Sequence, residues 1–244
     1  MGWLRHGSFT SHLHGAALLC AAVAVAAFLA SCGGRGSVAV ETVPAVQQGF
    51  GLPLEPNLRA GDVILSDGTK VPAAGVRDIT VDQIAVAVGV VYDPSGRRMV
   101  GLRQGRNLQW APVSSPGYSM RFKQSKDDGS LNWAVVQRRR KSGWNVDSYY
   151  PAFNFAQSYQ GAGLYDGGWY LPAVNELKTL YGARAAVGES LERVTGEPLE
   201  LGWYWSSTMK KGASSYAYYI GAEEGFPVRA NKGVRTLVLA VHSF

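Results

Sequence analysis

Cysteine is scarce in this chain. Cys20 and Cys32 are the only two in 244 residues, and both stand near the N-terminus. Histidine is nearly as scarce: His6, His12 and His14 precede the first apolar run, and only His242 lies beyond it. Past residue 32 these shortages exclude a disulfide, a His/Cys zinc site and a Cys–His catalytic pair, and leave a Ser–His–Asp triad only if His242 serves it. The core there must be held by packing alone. Charge of one sign is also in short supply, with a formal net charge of +6. So mild an excess points to no particular partner and suits anionic glycans, lipid headgroups or other cell surfaces. Long hydrophobic runs are missing as well. The run "AALLCAAVAVAAF" from Ala16 to Phe28 is short for a bilayer span.

That run follows Arg5 and ends at the small residues "LASC", so residues 1–31 read as a secretory signal peptide rather than a transmembrane helix. "LASC" followed by Gly33 resembles the lipobox of bacterial lipoproteins. The resemblance implies cleavage before Cys32, a lipid on Cys32, and an exported protein held at the outer membrane or cell surface. The alternative is an ordinary signal with an incidental cysteine. Residues 32–60 are rich in Gly and Pro without a sustained period, and are expected to be a flexible tether with a reach on the order of 30 Å.

Residues 61–244 form the expected folded domain; the chain as a whole is 46% hydrophobic with 30 glycines, which favours turns and β-structure. "DVILSDGTKV" predicts a hairpin on an Asp-Gly turn, and "VGVVYDPSGRRMVGL" a second on Asp-Pro-Ser-Gly. Between them, Thr80 can cap a short helix with Val81, Ile84 and Ala85 as its apolar side. From about Gln104 to Asn145 the chain reads as irregular and aromatic, and "RRRK" at 138–141 as a solvated loop between strands rather than a nucleic-acid site; no nucleic-acid partner is expected. Pro151 and Pro172 are each placed to open a helix. A third stretch puts Val187, Leu191 and Val194 on one face. The last forty or so residues read as strands. The expected fold class is α+β, two to three helices on a largely antiparallel sheet.

Taken in order, "GGWYLPAVNELKTLY" (167–181), "WYWSST" (203–208), "AYYIG" (217–221) and "VLAVHSF" (238–244) resemble the C-type-lectin-like domain of bacterial surface proteins. That family includes the C-terminal domain of a collagen-like adhesin and lipoproteins varied by diversity-generating retroelements. "LQWAPV" at 108–113 and "YYPAFNFAQSY" at 149–159 look like the lipoprotein branch. His242 stands where the family usually has Arg, and the closing strand is more apolar than usual. The resemblance implies non-catalytic recognition of a protein or glycan ligand. The formylglycine-generating enzymes of the same fold depend on catalytic cysteines that this chain lacks past residue 32.

Glu176 has no evident catalytic partner and sits early in a helix, where a carboxylate is favourable against the dipole and can accept backbone N–H groups. No cofactor and no metal site is expected. "SKDDGS" at 125–130 could bind calcium, but a polar turn explains it as well, and "EPN" at 55–57 and "WNVD" at 144–147 match calcium-lectin signatures poorly. "MKKGASSYAYY" has the character of a paratope, with rigid rings beside small polar groups. Strand alternation directs Ile220 and Tyr218 inward and Tyr219, Gly221 and Glu223 outward. The candidate ligand-binding residues are therefore Lys210, Lys211, Ser214, Ser215, Tyr219, Glu223, Phe226, Arg229 and Asn231. Two rival readings remain open: a structural envelope lipoprotein without an exposed ligand, and an enzyme using carboxylates such as Glu176 and Asp166.

Overall fold

A computed structural model describes residues 57–221 and 225–244. The signal peptide, Cys32, the tether up to residue 56 and Glu223 lie outside the described residues.

Local signals build the first third. β1 (Val63–Leu65) and β2 (Lys70–Val71) pair antiparallel across the Asp-Gly turn, where Gly68 adopts φ +88° and Asp67 Oδ1 accepts the Thr69 N–H at 2.9 Å. α1 (Val81–Ala85) starts on a reciprocal cap. Thr80 Oγ1 accepts the Gln83 N–H at 3.2 Å, and Gln83 Oε1 accepts the Thr80 N–H at 3.0 Å. Val81 is 80% exposed and no residue of α1 is buried, so capping rather than the expected apolar side makes this helix. β3 (Ala87–Asp93) and β4 (Arg98–Gln109) form the second hairpin, and β4 continues well past Gln104.

The stretch expected to be irregular is partly regular. β4 runs into it as far as Gln109, α2 (Pro116–Ser119) and α3 (Gly129–Arg140) lie within it, and α4 (Val146–Tyr149) begins just after it. The run "RRRK" forms the last turn and C-cap of α3, not a loop between strands. Three arginines there oppose the negative end of the helix dipole; Arg139 lies over the Trp144 ring and Arg140 pairs with Asp147. α5 (Pro151–Gln157) has proline at its first position, as expected. α6 (Val174–Gly182) starts two residues after Pro172, with Ala173 as its N-cap. α7 (Arg184–Thr195) buries Val187, Leu191 and Val194 and stops at Gly196 in the left-handed conformation. The described residues thus hold seven α-helices, not two to three.

The remaining strands are β5 (Trp203–Met209), β6 (Tyr216–Gly221), β7 (Pro227–Asn231) and β8 (Arg235–Ser243). The sheet order is β2-β1-β3-β4-β8-β5-β6-β7. Every neighbouring pair is antiparallel except β8 and β5, which meet in parallel at Leu237 and Tyr204. The fold class is α+β, with helices on both faces of the sheet. Alternation along β8 makes this visible. Val238 and Ala240 join the core that contains Trp110, Phe153 and Trp169, whereas Leu239 and Val241 join the core that contains Leu177, Leu180 and Leu191.

Candidate ligand-binding cleft

The carboxylate singled out in the sequence is committed to the fold. Glu176 is 1% exposed. Its Oε2 accepts the N–H groups of Ala173 at 2.7 Å and Gly129 at 2.8 Å; its Oε1 accepts the Tyr170 hydroxyl at 2.9 Å and lies 3.2 Å from Arg98 Nε. Burial pushes its pKa up, against those backbone N–H groups, the tyrosine and the arginine. Both oxygens are occupied by the protein itself. Asp166 stands apart, exposed beside a different cleft bordered by Trp133 and Trp169. His242 packs between Tyr165 and Trp169; its Nδ1 is buried with no hydrogen-bond partner among the described residues, and burial lowers its pKa. The acidic string 125–130 is a helix start. Asp128 Oδ1 accepts the Ser130 N–H at 2.9 Å, and Ser125 Oγ accepts the Asp127 and Asp128 N–H groups, each at 3.0 Å.

A different arrangement surrounds the turn after β5. Residues 121–126, without regular secondary structure, lie beside the end of that strand, held by a side chain that substitutes for a strand partner. Gln124 Nε2 donates to Met209 O at 2.8 Å, and Gln124 Oε1 accepts the Met209 N–H at 2.6 Å. One step earlier, the Thr208 hydroxyl donates to Ser125 O at 3.1 Å and accepts the Val174 N–H at 3.1 Å. Asn132, fully buried on α3, fixes the same segment through Ser125 N at 2.7 Å, Ser125 O at 2.9 Å and the Ser207 hydroxyl at 2.8 Å. Phe122 stacks on Trp110 at 6.2 Å. Across from this segment, the β5–β6 turn closes through Lys210 N–H to Tyr216 O at 2.9 Å, with Gly212 at φ +82° supplying the left-handed residue.

The two edges enclose an open cleft of about 410 Å³. Phe122, Met209, Ala213 and Tyr218 give it an apolar floor. Arg121, Lys123, Lys126, Lys210 and Lys211 border it, and among the described residues no carboxylate does. None of these five cations forms a salt bridge among the described residues. The acidic neighbours in sequence are turned elsewhere: Asp127 receives the Asn175 amide at 2.5 Å, and Asp128 caps α3. Unpaired like charges around a partly dehydrated floor focus a positive potential that attracts anions.

The nine residues expected to form a ligand face divide. Lys210 and Lys211 border the cleft. Ser214 and Ser215 are half-buried in the turn and do not, and Ser215 O accepts the Lys232 N–H at 2.9 Å. Tyr219 is not outward: it is half-buried, stacked on Trp203 at 4.3 Å, because helices cover that face of the sheet as well. Gly221 is buried too. Tyr218, expected inside, is half-buried and borders the cleft. Arg229 pairs with Tyr218 in register, so it shares that side, whereas Tyr219 pairs with Val228 on the other. Phe226 is 56% exposed and away from the cleft lining. Asn231 is structural; its amide donates to the Tyr118 hydroxyl at 2.5 Å and its Oδ1 accepts the Gly233 N–H at 2.9 Å.

Sequence reasoning missed Arg121, Lys123 and Lys126; three basic residues within six positions around Phe122 are the one signal that a basic edge was present. It also missed Lys232. This lysine is fully buried, its ammonium 4.2 Å from the Trp110 ring centroid and within 3.2–3.4 Å of the carbonyls of Gly117, Tyr118 and Met120. Burial pushes its pKa down to about 7.

No protein-family model matches this chain, and no curated protein matches it.

Proposed function

We propose that the chain is a lipid-anchored, non-catalytic recognition protein with a C-type-lectin-like domain, and that it holds its ligand in the cleft between residues 121–126 and the β5–β6 turn. One observation carries the reading. Five cations with no carboxylate partner among the described residues converge on an apolar floor, two of them from the turn whose composition resembles a paratope. Supporting it are the "LASC" lipobox resemblance, the Gly- and Pro-rich tether and the ordered C-terminal motifs on an α+β scaffold. In this reading Cys32 carries the lipid and the tether presents the cleft away from an outer membrane or cell surface.

The test is attachment. Cells of the native strain would be compared with a deletion strain and with strains carrying Lys210→Glu with Lys211→Glu, or Lys141→Glu at the end of α3. Binding to immobilised extracellular proteins and to neighbouring cells would be scored. The cleft variant is expected to fall to the deletion level and Lys141→Glu to match the native strain. A cleft variant that attaches normally would remove the recognition role.

A further inference from the structure

The cleft's polar groups narrow its ligand. Sugar hydroxyls are usually met by neutral amides, hydroxyls and carboxylates that both donate and accept. Here the one amide and the one aliphatic hydroxyl in the lining are already used. Gln124 gives both ends of its amide to Met209, and the Thr208 hydroxyl is committed to Ser125 and Val174. The Tyr218 hydroxyl is left, and the other side-chain groups on offer are the five cations. Strand addition at the cleft is closed off as well, since the Met209 N–H and carbonyl both face Gln124. A ligand must therefore supply negative charge to the rim and apolar surface to the floor, through its side chains.

Resting on the recognition reading above, we infer that the cleft takes an acidic peptide segment of a partner protein, with an apolar side chain seated on Phe122, Met209 and Tyr218 between carboxylates that meet the lysines and Arg121. The size agrees. About 410 Å³ holds a few side chains rather than a folded domain. A polyanionic sugar would satisfy the rim but leave the floor dehydrated without an apolar partner. The attraction is electrostatic at an exposed rim, so it weakens with salt.

The experiment uses the full chain in detergent and a dansylated peptide of sequence Glu-Glu-Phe-Glu-Glu-Phe, followed by fluorescence anisotropy. Binding is expected, reduced about tenfold or more by Lys123→Glu with Lys210→Glu, by replacing the peptide's Glu with Gln, and by added salt. Lys141→Glu should leave it unchanged, and thermal melting would confirm that both variants are folded. Equal binding of the Gln peptide, or tighter binding of polyglucuronate than of the acidic peptide, overturns the assignment of ligand class. If no peptide binds yet Lys210→Glu with Lys211→Glu still abolishes cell attachment, the ligand class alone falls. If attachment is also unaffected, the recognition reading falls with it.

Discussion

The carboxylate of Glu176 accepts the backbone N–H of Gly129 at 2.8 Å across 47 residues of chain, joining the start of α6 to the start of α3. The same oxygen caps Ala173, whose own side chain has nothing to return, so half a capping box serves two helices at once. Glu176→Gln keeps one accepting oxygen but places an amide nitrogen among donors, and should cost about 1–3 kcal/mol. Glu176→Ala strands two N–H groups and the buried side of Arg98, and should cost about 3 kcal/mol or more. Urea denaturation measures both. Below the transition, neither variant should change binding at the cleft.

Gly129 has no room for a side chain. A Cβ there would sit 2.2 Å from Leu171 O and 2.9 Å from Ala173 N, backbone atoms that cannot swing aside. Gly129→Ala should destabilise the fold by about 1–3 kcal/mol, although alanine is the better helix former. A thermal melt at or above the wild-type temperature would refute this packing.

Tyr219 separates the sequence expectation from the observed geometry. Stacked on Trp203 at 4.3 Å and tilted against Trp205 at 5.5 Å, it belongs to the sheet's covered side. Tyr219→Ala should lower stability by about 1–3 kcal/mol and leave affinity at the cleft unchanged. Tyr218→Ala should do the opposite, weakening ligand binding with a smaller loss of stability.

Lys232 gives the protein a pH signature. Its folded-state pKa of about 7 lies below the unfolded value near 10.4. Between those values the unfolded chain binds more protons, so stability rises with pH there, and the cost of the buried ammonium is greatest below pH 7. Lys232→Met keeps the aliphatic stem near Trp110 and removes the titration. The melting temperature of wild type relative to Lys232→Met should therefore climb between about pH 6.5 and pH 9. A constant difference would mean that the carbonyls and the ring keep the ammonium charged throughout.

The anchor is tested separately. Labelled palmitate should enter the wild-type chain and not Cys32→Ala, which should be released from the membrane fraction.

What the sequence revealed follows from where its signals are local. Hairpins announced by Asp-Gly and Asp-Pro-Ser-Gly, the proline that opens α5 and the Val187/Leu191/Val194 stripe of α7 each need only a few neighbouring residues. α3 escaped because its buried side is made of Gly129, Asn132 and Val136, with an amide in the place of an apolar anchor, so no hydrophobic period marks it. Tyr219 was misplaced because alternation distinguishes two faces but does not say that both are covered. The cleft was half legible. Lys210 and Lys211 stood out in the turn, but their partners lie about 85 residues away and are brought alongside by polar contacts of Gln124, Thr208 and Asn132 that leave no periodic signal.

The most direct measurement is a ¹⁵N chemical-shift map of the full chain in detergent, titrated with the Glu-Glu-Phe-Glu-Glu-Phe peptide. Saturable shifts are expected at the amides of Phe122, Lys123, Lys210, Ala213 and Tyr218, and should vanish in Lys123→Glu with Lys210→Glu. Shifts confined to the cleft beside Trp133 and Asp166, or none at saturating peptide, would contradict recognition of this ligand at the basic cleft.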